Sequence, residues 1–289
     1  MVQSESTSIG TWRQRTVLVV LVLAIGFAVF VVLSNYRPML PRSVDLFARV
    51  SVALVLLVAA LLAHRSTSLR AYWPLLFAFF IACLVISLDL YTSYWMLNTI
   101  RADFNTSAGD ALMKAKTGVL IVGTILLLTR ASGASMGSIY VQKGNLREGL
   151  MIGLIAFGAA AVASVPLARF MFGGNNLNLA RILPWIPWLL IFVLANAANE
   201  ELLFRGLFLR KLEPFFGPWT SNILIAILFT LYHSGVRYTP DLLMFLASLP
   251  PLALAWGHIM RKTDSLWGSI LFHAGMDLPI ILGLWSNTH

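Results

Sequence analysis

One cysteine, Cys83, in 289 residues excludes an intrachain disulfide and a cysteine-built metal cluster. Charge is nearly as scarce, with Asp, Glu, Lys and Arg making up 11% of the chain, against roughly 25% in a soluble domain. No HExxH pair occurs, so the commonest helical zinc-protease signature is missing. The 21 Lys and Arg exceed the 12 Asp and Glu, for a formal net charge of +9. These cations are scattered singly or in pairs and form no basic block. That pattern argues against nucleic acid as a partner and reads as interfacial anchoring.

What the chain has instead is apolar length: 58% of its residues are hydrophobic. Spans of about 20 residues are what a bilayer demands. They can be drawn at 16–34, 46–63, 72–97, 112–130, 149–171, 183–212, 219–234, 241–260 and 265–286. The expected fold is therefore all-α, a polytopic bundle of about 8–9 membrane helices whose first partner is the lipid bilayer. Arg13 and Arg15 precede the first run, which has no small-residue cleavage site and reads as a retained helix. Lys and Arg are somewhat more frequent in the loops on the N-terminal side, which favours an inside N-terminus. Kinks are expected at Pro166 and at Pro250–Pro251. Trp185, Trp188 and Trp267 read as members of an interfacial aromatic belt. The Gly/Ser-rich and then basic stretch 131–149 separates four N-terminal spans from five C-terminal ones, dividing the chain at 148/149.

Ionisable groups inside spans mark sites or pathways, because hydrocarbon penalises charge. Glu200, Glu201 and Arg205 fall on the sixth span, His233 on the seventh, and His273 with Asp277 on the ninth. At 1.5 Å per residue, Glu200, His233 and Asp277 come out at similar depths, about 20 Å from the inner helix ends near residues 213, 219 and 264, with His273 one turn lower. Glu201 and Arg205 are spaced i, i+4 in the order that favours a salt bridge. Glu200 is turned about 100° away, has Phe204 at its own i+4 position, and shares a face with Asn196. The two adjacent acids are therefore expected to differ: Glu201 structural, Glu200 available for chemistry. A carboxylate with no local cation beside imidazoles suits a general base or proton shuttle. His258, beside Arg261 and Lys262, reads as an interfacial helix end. Asp89 and Asn98 carry no assigned role.

Three of these stretches resemble motifs of one family. EELLFR (200–205) is similar to the EExxxR motif of the CPBP intramembrane proteases, which include Ras-converting CaaX prenyl endopeptidases and bacterial Abi proteins. FTLYH (229–233) resembles the family's FxxxH, and HAGMD (273–277) its HxxxN or HxxxD. Where the commonest pattern ends in Asn, this chain has Asp277, a donor only when protonated. The resemblance spans 183–286 and leaves residues 1–148 as N-terminal helices of unassigned role, with 149–289 as the protease core. It implies an intramembrane endopeptidase that cleaves a membrane-anchored protein or peptide, in a bacterial plasma membrane. Glu200 and His233 would activate water, His273 and Asp277 would hold the oxyanion, and Glu201 with Arg205 would brace the site.

Glu200, His233 and His273 could instead be a His₂Glu zinc set. The resemblance to glutamate-dependent enzymes favours no cofactor, with zinc as the alternative. A catalytically silent membrane scaffold is a second alternative. A proton-coupled transporter is a third, disfavoured because no inverted repeat is apparent.

Overall fold

The computed structural model describes residues 12–99 and 105–288. Among the described residues there is no strand, and eight helical segments are long and apolar enough to cross a membrane. They include α1 (Trp12–Phe27, extended by a π-helical turn to Val32), α2 (Arg42–Arg65), α3 (Trp73–Thr99), α4 (Ser107–Ala131) and α5 (Leu146–Phe172). A short α6 (Leu179–Ile182) leads into α7 (Ile186–Glu200), a π-helical turn (Glu201–Gly206) and α8 (Leu207–Tyr232). The chain closes with α9 (Leu242–Thr263) and α10 (Trp267–Thr288). This is an integral, multi-pass membrane protein.

One of the eight segments, Leu179–Gly235, is 57 residues long. Straight, it would measure about 85 Å, far beyond a hydrocarbon core of about 30 Å. It doubles back at Gly217, whose φ of 74° and ψ of 171° lie outside helical space. Only glycine holds that conformation without strain. Pro218 then restarts the helix at a position where its missing N–H is harmless, and the Ser221 hydroxyl donates to the Gly217 carbonyl at 2.7 Å. Two limbs result, as the separate runs 183–212 and 219–234 anticipate. The helix runs on through Pro166 in α5 and through Pro250–Pro251 in α9.

Helix α10 is the most buried span and packs against α5, α7 and α9. Its closeness to α5 depends on glycine: a Cβ on Gly268 would stand 2.5 Å from the Gly149 carbonyl oxygen. Such small-residue contacts let helix backbones approach where lipid supplies no hydrophobic drive. Trp185 departs from the belt expectation. It is buried, with its ring edge-on to Trp285 at 6.0 Å, because it turns inward to fill the gap between α7 and α10. Trp267 stays 46% exposed.

The N-terminal helices are tied by a polar cluster. Arg49 Nε meets Asp45 Oδ2 at 2.8 Å, and Lys116 Nζ meets Asp89 Oδ1 at 2.8 Å. Asn35 links the pairs: it donates to Asp89 Oδ2 at 3.2 Å and accepts from Arg49 Nη1 at 3.4 Å. Thr117 adds a 2.6 Å hydrogen bond to Asp89. Asp89 thus joins α3, α4 and the loop that follows α1.

Candidate active site

Ser269, His273 and Asp277 repeat every four residues and form one stripe along α10, facing α7. The two helices run antiparallel, so the stripe meets α7 step by step. Asp277 Oδ2 accepts from Asn196 Nδ2 at 2.9 Å, and His273 lies against both glutamates. Ser269 donates its hydroxyl hydrogen to Glu201 Oε2. Asn196, which shares a helical face with Glu200, therefore serves Asp277 instead, because Asp277 sits one turn further along α10.

The two adjacent glutamates meet the two nitrogens of one imidazole. Glu201 Oε1 accepts from His273 Nδ1 at 2.8 Å, while Glu200 Oε2 stands 3.6 Å from His273 Nε2. The wider turn that begins at Glu201 changes the angular step between side chains; π-helical turns of this kind recur at functional sites. Glu201 is fully buried and also accepts from Arg205 Nη1 at 2.6 Å. Arg205, itself fully buried, lies over the rings of Phe229 at 4.4 Å and Trp256 at 5.1 Å. Those ring faces offset the missing partners of its Nε and Nη2. Trp256 also stacks on His273, with centroids 4.0 Å apart and planes 7° from parallel.

His233 closes the site from the end of α8. Its Nδ1 is 2.8 Å from the carbonyl oxygen of Phe229. A carbonyl only accepts, so Nδ1 carries the proton and Nε2 keeps its lone pair in the neutral ring. Nε2 stands 3.7 Å from Glu200 Oε2. Phe229 packs 4.5 Å from the same imidazole, which gives the spacing in FTLYH a physical meaning: the aromatic clamps histidine on one side and arginine on the other.

All four candidate reactive residues line one cavity of about 250 Å³, walled mainly by apolar side chains. Glu200 Oε2 has no hydrogen-bond partner there. Its other oxygen accepts from the Tyr36 hydroxyl at 3.4 Å. Tyr36 and Tyr238 come from loops that carry no motif, and only their aromatic character next to span ends hinted at them. Burial, then the Glu200 charge, pushes both phenols well above their usual range, so they remain donors. Ser269 could have been found from its i−4 spacing to His273. His258 stays apart from the cavity and stacks on Trp219 at 6.1 Å.

A zinc site needs ligand atoms at about 2.0–2.2 Å from the metal. Among the described residues, no group of three or more His, Cys, Asp or Glu is placed to hold a metal ion. Glu200 Oε2 stands 3.7 Å from His233 Nε2 and 3.6 Å from His273 Nε2, donor atoms of the kind zinc takes.

Glu200, His233, His273 and Asp277 thus face one cavity inside the bundle, with Glu201 held against the far nitrogen of His273. Residues 182–279 match the family described as Rce1-like, type II CAAX prenyl endopeptidase Rce1-like. The resemblance read from the three motifs is borne out over the segment that contains them, about a third of the chain. The match supports an intramembrane endopeptidase of the CAAX type. No curated protein and no solved structure matches the chain.

Proposed function

We propose that this protein hydrolyses a peptide bond of a membrane-associated protein or peptide with water activated by Glu200 and His233, without a metal. The observation that carries the reading is Glu200 Oε2, buried and unpartnered, 3.6 and 3.7 Å from two imidazole Nε2 atoms. Those gaps are too long for direct hydrogen bonds, and a water seated beside the three atoms, in the cavity they line, reaches both the carboxylate and an imidazole.

Such a water donates one hydrogen to Glu200 and the other to His233, leaving a lone pair for the scissile carbonyl. As its oxygen attacks, the proton passes to Glu200, which later delivers it to the leaving amine. His273 is held by Glu201 through Nδ1, so its Nε2 faces the reacting centre, and a protonated Nε2 donates to the developing oxyanion. Asp277, oriented by Asn196, donates to the same oxyanion when it carries a proton. Arg205 supplies the counter-charge of Glu201, which orients His273. Apolar walls exclude competing water and strengthen each of these interactions.

The test compares wild type and Glu200→Gln, purified in detergent, on membrane-anchored and CAAX-type peptides, with mass spectrometry locating the cut. Cleavage by wild type alone and indifference to a chelator are expected. Loss on chelation with rescue by zinc would overturn the metal-free mechanism. Equal processing by both proteins would overturn the role of Glu200. A cellular phenotype that survives Glu200→Gln would favour a scaffold.

A further inference from the structure

Lys211, on α8, breaks the pattern set by three other cations inside the bundle. Arg49, Lys116 and Arg205 each meet a carboxylate, at 2.8, 2.8 and 2.6 Å. The Lys211 ammonium is buried and has no hydrogen-bond partner among the described residues. Its chain neighbour Arg210 is a second cation, bonded to Asp264 and seated over the Tyr140 ring at 4.3 Å. The Arg210–Asp264 pair is neutral as a unit, so one positive charge is left over. Such a charge is costly in a membrane bundle unless a counter-ion meets it.

Lys211 lines a half-open cavity of about 520 Å³, separate from the one that Glu200 lines. One side of it is polar: Arg210 and Lys211 are joined by Thr129, Ser132, Ser135 and Ser138 from the end of α4 and the turn that follows. Ser132 and Ser138 donate to local carbonyls at 2.7 Å, which steadies that turn. Among the described residues, no Asp or Glu lines the cavity. The other side is apolar, with Trp73, Phe77 and Ile81 of α3 and Leu207 of α8. All of this lies at one end of the bundle. Helix α3 begins at Trp73 and α4 ends at Ala131, and Lys211 is six residues before the Gly217 turn, about 9 Å along the axis. That is the depth of lipid headgroups, where interfacial tryptophans also sit.

One uncompensated cation, a row of hydroxyls and an aromatic wall together fit one class of ligand. A phosphodiester carries a single negative charge, and its oxygens accept from ammonium and hydroxyl donors. Free phosphate would satisfy the polar side and leave the apolar side bare. A phospholipid fills both, with its glycerol and first methylenes against Trp73 and Phe77. Basic pockets between membrane helices take anionic headgroups in this way. We propose that this cavity binds an anionic phospholipid, whose phosphate is the counter-ion of Lys211. The flexible four-carbon stem of the lysine lets its ammonium swing to the phosphate by a change of rotamer. The bound lipid bridges α3 and α4, which lie outside the segment that matches the family, to the limb that carries Glu200.

Wild type, Lys211→Met and Lys211→Arg are purified in dodecyl maltoside and stripped of lipid. Each is titrated with dioctanoyl phosphatidylglycerol, dioctanoyl phosphatidylcholine or inorganic phosphate. Native mass spectrometry counts bound molecules, and the thermal unfolding midpoint reports affinity. Phosphatidylglycerol should fill one saturable site on wild type and raise its midpoint. Lys211→Met should weaken that site about ten- to a hundredfold, the range of one charge-assisted contact, and Lys211→Arg should keep most of it. Without lipid, Lys211→Met should melt no lower than wild type, since it loses an unpaired buried charge. Phosphatidylglycerol bound equally by wild type and Lys211→Met overturns the proposal, as does phosphatidylcholine bound just as tightly. A lipid-free Lys211→Met that melts lower than wild type also counts against it, because the bundle would then already satisfy this ammonium. Inorganic phosphate that shifts the wild-type midpoint as far, and leaves Lys211→Met unmoved, would uphold the anion site and overturn the lipid as its source.

Discussion

Two buried polar clusters lie in this bundle, and they differ in their charge balance. The N-terminal one sets two carboxylates, Asp45 and Asp89, against two cations, Arg49 and Lys116, each pair at 2.8 Å. The C-terminal one has three carboxylates, Glu200, Glu201 and Asp277, and one ion pair to a permanent cation, Glu201–Arg205, with two imidazoles between the acids. The first is closed: every carboxylate has its counter-charge and the cluster ties helices together. The second is open, because its balance depends on where protons sit among Glu200, His233, His273 and Asp277. A cluster built only to hold a bundle has no need of that freedom, and hydrocarbon makes the imbalance costly. Reactive water chemistry does need it.

Substitutions that neutralise one side chain at a time break this comparison most directly. Glu200→Gln should lower kcat about 10²–10⁴-fold, the usual weight of a general base, with the thermal unfolding midpoint in detergent unchanged or higher. A fall in that midpoint with activity retained would assign Glu200 to the closed kind of cluster. Arg205→Met should cost about 3–5 kcal/mol of stability, since it strands a buried Glu201, and activity should fall as His273 loses its support. Chemical denaturation in mixed micelles measures the first effect, and peptide turnover the second. Asp89→Asn should destabilise by about 1–3 kcal/mol, the penalty for a polar group left unpaired, while turnover per folded molecule changes little. A large loss of kcat there would show that the N-terminal cluster positions the site through Asn35 and Tyr36.

The smallest effect belongs to Tyr36→Phe. It removes one long hydrogen bond, 3.4 Å from hydroxyl to Glu200 Oε1, and a two- to tenfold loss of kcat is expected, about 0.5–1.5 kcal/mol. Because burial, then Glu200, pushes the Tyr36 hydroxyl well above the usual phenol range, it stays protonated across neutral and mildly alkaline pH. The ratio of wild-type to Tyr36→Phe rates should therefore be flat from about pH 6 to pH 10. A ratio that collapses towards the alkaline end would show a Tyr36 that ionises within that window.

Motif spacing made part of the site legible. Residues four apart on one helix share a face whatever surrounds them, so Glu201 with Arg205 and His273 with Asp277 can be paired on paper. The i, i+4 rule could not say that α10 would be the central helix. Nor could it say that consecutive glutamates would reach opposite nitrogens of His273, because a π-helical turn at Glu201–Gly206 leaves no clear mark in composition. Tyr36 and the pairing of Asn196 with Asp277 were beyond the rule for the same reason: they depend on the rotation and depth of other helices. Trp185 shows the error that results when an aromatic is read from its place near a span end alone.

By itself the sequence determined that the chain lives in a bilayer, roughly where its helices run, and which few ionisable side chains the membrane had to accommodate. Those follow from local physics: about 20 apolar residues per crossing, 3.6 residues per turn, and the cost of charge in hydrocarbon. Tertiary structure alone decided that the carboxylate without a local cation would stand between two imidazoles, and that the one paired with Arg205 would also hold His273. It also brought Lys114 from α4 to the cavity wall. Those outcomes depend on how helices distant in sequence rotate and pack, and no local rule contains that information.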